Sequence, residues 1–286
     1  MKQIKLFIEL TRLNKPIGFM LLFWPCSWGL TLAYYFYQES TSYFKYLILF
    51  FLGSVLMRSA GCIVNDIVDI NLDKKVERTR SRPIASGKIS IRKAFIYTIL
   101  LCLTALIILL QFNFLTIILG VGSMTLAFAY PFMKRITYWP QLFLGLTFNW
   151  GIIMGWSSIT NSISIEPIIL YLSAIFWTLG YDTIYGLQDM VDDEIIGVKS
   201  TAIKFKNNIK VFVGTCYSLC VFLILILGFL MEINKYILLL SVFFILSLIH
   251  QVKFFQISKP KSCLYSFKVN NLTGLLIFLL IFSFSI

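Results

Sequence analysis

The chain has 286 residues, 58% of them hydrophobic, 16% aromatic and only 13% charged, with a formal net charge of +12. A soluble domain carries about 25% charged residues, so a chain this apolar lacks the polar surface that water demands. Composition excludes a soluble globular protein, and the arrangement of the positive charge, in blocks between apolar stretches, excludes a nucleic-acid binder.

Residues 1–13 read as an amphipathic interfacial segment, with Ile4, Phe7, Ile8 and Leu10 toward one side and Lys2, Lys5 and Glu9 toward the other. No cleavable signal or transit peptide is expected there. Nine apolar stretches follow, at about 17–37, 44–64, 92–112, 114–131, 141–160, 168–188, 210–231, 235–252 and 270–286. Each approaches the roughly 20 residues that a helix needs to cross the hydrocarbon core. The third and fourth are divided only by Phe112-Asn113-Phe114, and the longest polar connection runs from Asn65 to Ser90. The expected fold is an all-α integral membrane bundle of nine transmembrane helices, forming one domain over residues 1–286.

Of the 25 Lys and Arg residues, 22 lie before the first stretch or in the connections from even-numbered to odd-numbered stretches. By the positive-inside rule these segments and the N-terminus face the cytoplasm, and nine spans leave the C-terminus on the opposite side. Arg58 is an exception inside the second stretch. The six cysteines lie in or beside apolar stretches; Cys216 and Cys220 are four apart but lack further ligands for a metal. His250, the only histidine, receives no role.

Nine of the 13 acidic residues fall in two short segments: Asp66, Asp69, Asp73 and Glu77, then Asp182, Asp189, Asp192, Asp193 and Glu194. Solvated loop acids would account for Glu77 or Glu194, but not for all seven aspartates gathered in two clusters and none elsewhere. Ionisable groups at membrane depth are costly and mark function. If the second stretch continues as a helix, Asn65, Asp69 and Asp73 share one face at i, i+4, i+8, about 6 Å apart along the axis. Tyr185, Asp189 and Asp193 share the same spacing, with Asp182 one turn before Tyr185. Two such oxygen-bearing faces across a cavity suit Mg²⁺, which takes few carboxylates and leaves positions for water and phosphate oxygens.

Cations follow each cluster, and carboxylates backed by Arg and Lys suggest a metal held together with a polyphosphate. Arg78, Arg82 and Lys199, nearest the acids, are the expected diphosphate contacts. Asn65 and Asp189 are 124 positions apart, as are Asp69 and Asp193, so spans one to four (about 14–131) and five to eight (about 140–252) look like two four-helix repeats. The ninth span, 270–286, is extra. No Gly-x-x-x-x-Gly-Lys phosphate loop is present.

Residues 65–87, NDIVDINLDKKVERTRSRPIASG, and 181–205, YDTIYGLQDMVDDEIIGVKSTAIKF, resemble the two signatures of the UbiA family of membrane prenyltransferases. RLNKPIGFMLLFWP at 12–25 and YPFMKRITYWPQLFLG at 130–145 resemble the branch that prenylates 4-hydroxybenzoate. The last three spans match only in general character. The resemblance implies a nine-helix bundle with a cytoplasmic-side cavity open sideways to lipid. The implied reaction transfers a polyprenyl group from polyprenyl diphosphate to the ring carbon ortho to the hydroxyl of 4-hydroxybenzoate, with Mg²⁺ as cofactor, in ubiquinone biosynthesis. It also implies that Asn65, Asp69, Asp73, Asp189 and Asp193 hold Mg²⁺ and diphosphate, with Asp66, Asp182 and Asp192 in support. Tyr185 shares a face with Asp189 and is expected to act beside it. The acceptor carboxylate needs a cation away from the metal, and Arg12, Arg58 and Arg135 are the candidates. Within the superfamily the rival is another acceptor; from another class, a cation-coupled transporter. Composition and the absent transit peptide point to a bacterial inner membrane.

Overall fold

A computed structural model describes residues 2–37, 40–231 and 235–283. It is all-helical, with no strand among the described residues. In chain order the helices are α1 (Lys2–Thr11), α2 (Ile17–Tyr37), α3 (Ser40–Val68), α4 (Ile70–Asp73), α5 (Ile91–Leu109), α6 (Phe114–Ile136), α7 (Pro140–Asn149), α8 (Gly151–Thr160), α9 (Ile165–Gly186), α10 (Met190–Ile195), α11 (Thr201–Lys204), α12 (Ile209–Leu230), α13 (Lys235–Phe254) and α14 (Pro260–Phe282). Counting α7 and α8 as one, eight described segments are long and apolar enough to cross a membrane. The described apolar part of α13, Leu239–Phe254, is shorter. This is an integral membrane bundle.

Local signals set the helix ends. Ser90 caps α5 by accepting from Lys93 N at 3.3 Å, and Asn113 caps α6 by accepting from Thr116 N at 2.9 Å. The Asn113 amide also donates to the carbonyls of Ser157 (2.6 Å) and Ser158 (3.1 Å), which ties the tight α5–α6 turn to α8. Beyond shifts of a few residues at other helix ends and a break of the 141–160 span into α7 and α8, two differences from expectation matter most. The last span begins at Pro260, ten positions before 270, because Pro at the first helical position starts a helix that Lys261 and Lys268 do not interrupt; its expected end, 284–286, lies outside the described residues. The acidic faces are not continuous helices: α3 stops at Val68, and Asp69 (φ −96°, ψ 6°) turns the chain into α4. Asp189 (φ −113°, ψ 4°) makes the same kind of turn before α10.

The central helix is α2, whose Trp28, Leu30, Leu32 and Ala33 are fully buried. It meets α8 at backbone distance: a Cβ on Gly29 would lie 2.0 Å from the Ile152 carbonyl oxygen, and one on Gly155 2.3 Å from that of Cys26. Gly151 and Gly155 make the small-xxx-small face through which membrane helices approach closely. On the other side of the bundle a buried polar chain joins four helices. Trp177 Nε1 donates to Asn270 Oδ1 (2.8 Å), Asn270 Nδ2 to Gln251 Oε1 (2.9 Å), and Tyr217 OH to the same oxygen (2.7 Å). Gln251 Nε2 donates to Thr273 Oγ1 (3.1 Å). Satisfying these groups internally is what allows them to lie in a hydrocarbon setting.

Helix α1 docks rather than floats. Leu10 is fully buried with Ile63, Ile84, Ile89 and Ala94, and Phe7 meets Tyr97 edge-on at 5.1 Å. Ile4 and Ile8, expected on the apolar side, are exposed. All six cysteines are free thiols, and His250 stacks on Phe254 at 5.4 Å.

Candidate active site

The carboxylates of the first cluster are each engaged by cations. Asp66, at the last turn of α3, accepts from Arg12 Nη2 at 2.5 Å and Arg82 Nη1 at 3.2 Å. Arg82 also spans both oxygens of Asp73, at 3.0 and 2.9 Å. Asp69 is paired with Lys134, and Arg135 reaches it at 3.4 Å while donating to the Val68 carbonyl at 2.8 Å. The bend at Asp69 is what turns this carboxylate toward the end of α6. Arg12 holds its place with φ +56°, a left-handed backbone that non-glycine residues avoid.

The second cluster is held from the first half of the chain. Arg78 forks Asp189, with Nε at 2.7 Å from Oδ1 and Nη2 on Oδ2. Its Nη1 donates to the Tyr185 hydroxyl at 3.4 Å, and its guanidinium lies over the Tyr185 ring at 5.7 Å. Tyr185 in turn packs on Phe267 of α14 at 4.5 Å. Asp193 lies near both Asp189 and Lys134; burial first, then the Asp189 charge, pushes its carboxyl up to about 6. Burial likewise raises Asp69, against the opposing pull of Lys134. Asp192 adds negative charge beside Asp193 and forms no ion pair within 4 Å among the described residues.

Thus Arg78 and Lys134 interleave the two clusters. Among the described residues no three acids, cysteines or histidines converge as a ready-made metal cage; the carboxylates expected to face one another are separated by side-chain cations.

Beside the clusters lies a cavity of about 380 Å³ with almost wholly apolar walls. It runs from Asn65 and Arg58 on α3 to Phe112, Leu109 and Met154 at the far end. Tyr130 of α6 and Phe148 of α7 also line it. Arg58 sits over the Phe148 ring at 5.5 Å, its Nε is buried without an acceptor, and Asp182 of α9 is the carboxylate it faces.

The expected residues therefore divide. Asp66, Asp69, Asp73, Asp189, Tyr185, Arg78 and Arg82 gather at the cluster, with Asn65 at the cavity mouth. Arg12 and Arg135, expected on the acceptor, lie on Asp66 and Asp69; Arg58 alone of the three stands apart on the cavity wall. Lys199 makes no carboxylate contact among the described residues: its backbone N–H donates to the Lys134 carbonyl (2.8 Å) and its Nζ to that of Ile136 (3.1 Å). Two residues not expected from sequence join the site: Lys134 on Asp69 and Tyr130 on the cavity wall; both stand in the 130–145 segment, and the available signal is that Lys134 adjoins Arg135.

Residues 22–279 match the model of the UbiA prenyltransferase family. The mitochondrial 4-hydroxybenzoate polyprenyltransferase of Arabidopsis thaliana is 47% identical over 212 residues, covering 74% of this chain and 52% of that protein. The chain thus spans about half the length of that relative. The 4-hydroxybenzoate octaprenyltransferase of Francisella tularensis subsp. novicida is 39% identical over 279 residues, covering 98% and 97%. A UbiA homologue from Archaeoglobus fulgidus, solved bound to GPP and Mg²⁺, shares the fold with a TM-score of 0.70 at 18% identity, covering 98% of this chain and 99% of that one. On this match and on the residues gathered above, the chain belongs to the UbiA prenyltransferase family.

Proposed function

We propose that this protein transfers a polyprenyl group from polyprenyl diphosphate to the carbon ortho to the hydroxyl of 4-hydroxybenzoate, releasing diphosphate, as a step of ubiquinone biosynthesis. The observation that carries this reading is the junction of a cation-interleaved acid cluster with an apolar cavity, whose wall bears Arg58 with a buried Nε that has no acceptor. The names of the Arabidopsis and Francisella relatives supply the acceptor.

The donor set fits Mg²⁺: it is all oxygen, and Asp193 is short of positive charge beside Asp189. Asn65, Asp69, Asp73, Asp189 and Asp193 would hold the ion, with Asp66, Asp182 and Asp192 in support. Bound there, Mg²⁺ would neutralise diphosphate charge as the allylic C–O bond breaks. Arg78, Arg82 and Lys134 would bind phosphate oxygens that the metal leaves free, and Lys199, which holds the end of α6 through the Lys134 and Ile136 carbonyls, would add positive charge behind them. The apolar cavity holds the prenyl chain and excludes water from the allylic cation. Arg58 receives the acceptor carboxylate. The ring carbon then bonds to the allylic carbon as diphosphate departs, and the ring proton passes to a base, either Asp66, Asp182 or the released diphosphate.

The same reading puts Asn65 through Asp73 and Asp182 through Asp193 on the cytoplasmic side of a bacterial inner membrane, with the C-terminus opposite. It completes the bundle as one domain of nine spans, two four-helix repeats plus α14, with α13 as the eighth.

The test is the full-length protein in detergent with radiolabelled polyprenyl diphosphate and 4-hydroxybenzoate, with Mg²⁺ or with chelator. The expected result is a prenylated acid formed only with Mg²⁺. Product from a different acceptor alone would move the substrate within the family, and no product from any aromatic acceptor would overturn the reading.

A further inference from the structure

Arg58 occupies a slot with two walls. One is the Phe148 ring. The other is the backbone of Gly18, in the first turn of α2: a Cβ built there would lie 2.9 Å from Arg58 Nε, 3.6 Å from Nη2 and 3.7 Å from Cζ. All three nearest atoms belong to Arg58. Neither backbone conformation nor backbone approach explains a glycine here. Gly18 does not have a positive φ, and its Cβ would meet no backbone atom among those three nearest neighbours. Gly29 and Gly155 on the α2–α8 contact are different, because a Cβ on either would strike backbone and force the helices apart.

Arg58 itself carries a signal that points outward. Its Nε is buried with no acceptor, and no carboxylate lies within ion-pair distance of it among the described residues. Asp182, the carboxylate it faces, stands beyond that distance, and a guanidinium held at membrane depth without a direct ion pair is costly.

We infer that Gly18 is a specificity-determining position: the missing side chain fixes where the Arg58 guanidinium lies, and so where the carboxylate of an aromatic acid docks. This rests on Arg58 being the acceptor's partner, as proposed above. A methyl group at position 18 displaces a flexible side chain and leaves the fold intact. It moves the docking cation away from its register with the acid cluster.

The experiment is steady-state kinetics on full-length Gly18→Ala, Arg58→Ala and the double variant, at saturating polyprenyl diphosphate and Mg²⁺, with thermal unfolding alongside. Gly214→Ala serves as a control, because Gly214 lies on α12, away from the cavity, with open space around its Cβ position. Gly18→Ala should raise KM for 4-hydroxybenzoate by about tenfold, since a displacement of about 1 Å can cost up to about a hundredfold. KM for polyprenyl diphosphate and the Tm should match the control. Added to Arg58→Ala, the Gly18→Ala change should have no further effect. An unchanged acceptor KM in Gly18→Ala alongside a raised one in Arg58→Ala overturns the role of Gly18 while leaving Arg58 in place. Additive effects, or a lowered Tm in Gly18→Ala, also overturn it by showing a merely structural glycine. An unchanged acceptor KM in Arg58→Ala overturns both.

Discussion

Arg78 and Asp189 stand 111 positions apart and form a two-pronged ion pair, Nε to Oδ1 at 2.7 Å and Nη2 to Oδ2. One residue follows the first acidic cluster and the other lies within the second, so this pair is a seam between the two halves of the site. It also sets the position of Tyr185, whose hydroxyl and ring both meet the same guanidinium. A fork of this shape matches carboxylate and phosphate equally, which lets Arg78 hold the apo cluster and then serve a diphosphate.

Replacing Arg78 by Ala should therefore lower kcat/KM for polyprenyl diphosphate by about 10²–10³, the usual loss for one donor aimed at developing charge. Lys should recover little, because an ammonium supplies charge without the planar fork. KM for 4-hydroxybenzoate should stay near the parent value. Equal activity in Arg78→Lys and the parent would show that charge alone matters.

The Asp193 carboxyl, raised to about 6 by burial and then by Asp189, gives a pH dependence of known sign. A carboxyl raised in the folded state favours folding while protonated, and that contribution is lost as pH rises from the unfolded value through about 6. Above pH 6 the site carries a buried negative charge that a divalent cation can offset. Added Mg²⁺ should raise the Tm more at pH 7.5 than at pH 5.5, and the Mg²⁺ concentration for half activity should climb as pH falls below about 6. Asp193→Asn should flatten both trends. A Tm response to Mg²⁺ that is the same at both pH values would count against Asp193 as a ligand.

Arg12 combines a buried ion pair with a left-handed backbone. Removing the guanidinium leaves Asp66, 2% exposed, with Arg82 alone, a loss of about 3 kcal/mol by analogy with broken buried pairs. Glycine at this position loses the same pair but relieves the left-handed conformation, worth about 1–2 kcal/mol. Arg12→Gly should thus unfold at a higher temperature than Arg12→Ala, while both lose activity to a similar degree. The reverse order in thermal unfolding would show that the backbone at position 12 relaxes on its own.

How much of this was legible in the sequence follows from the range of the interactions. The first span, expected at 17–37, is α2 at Ile17–Tyr37, because a run of apolar residues flanked by Pro16 and polar residues is a local signal. The two clusters were visible because carboxylates at membrane depth stand out against an apolar background. Their partners were not. Asp69 meets Lys134 and Asp189 meets Arg78 across 65 and 111 positions, and the bends at Asp69 and Asp189 redirect carboxylates that a continuous helix would have left stacked. For the same reason sequence alone does not show that Arg12 and Arg135, expected on the acceptor carboxylate, meet Asp66 and Asp69. The start of α14 was obscured by Lys261 and Lys268, whose long stems allow a charged residue to stay helical near a membrane surface.

That last helix also carries the prediction most independent of the chemistry. Asn270 accepts from Trp177 Nε1 and donates to Gln251, so it joins α14 to α9 and α13 at a fully buried point. Neither partner has water to fall back on, and Asn270→Leu strands the Trp177 donor and loses a bond to Gln251. Interhelical hydrogen bonds in membranes are worth about 0.6 kcal/mol each and up to about 1.7, so two should cost about 1–3 kcal/mol in Tm-derived stability. Because the network lies outside the acid cluster and cavity lining, KM for both substrates and the Mg²⁺ dependence should not move in the folded fraction. A stable variant with altered acceptor KM would instead make α14 part of the acceptor site, reached through Phe267 and its contact with Tyr185.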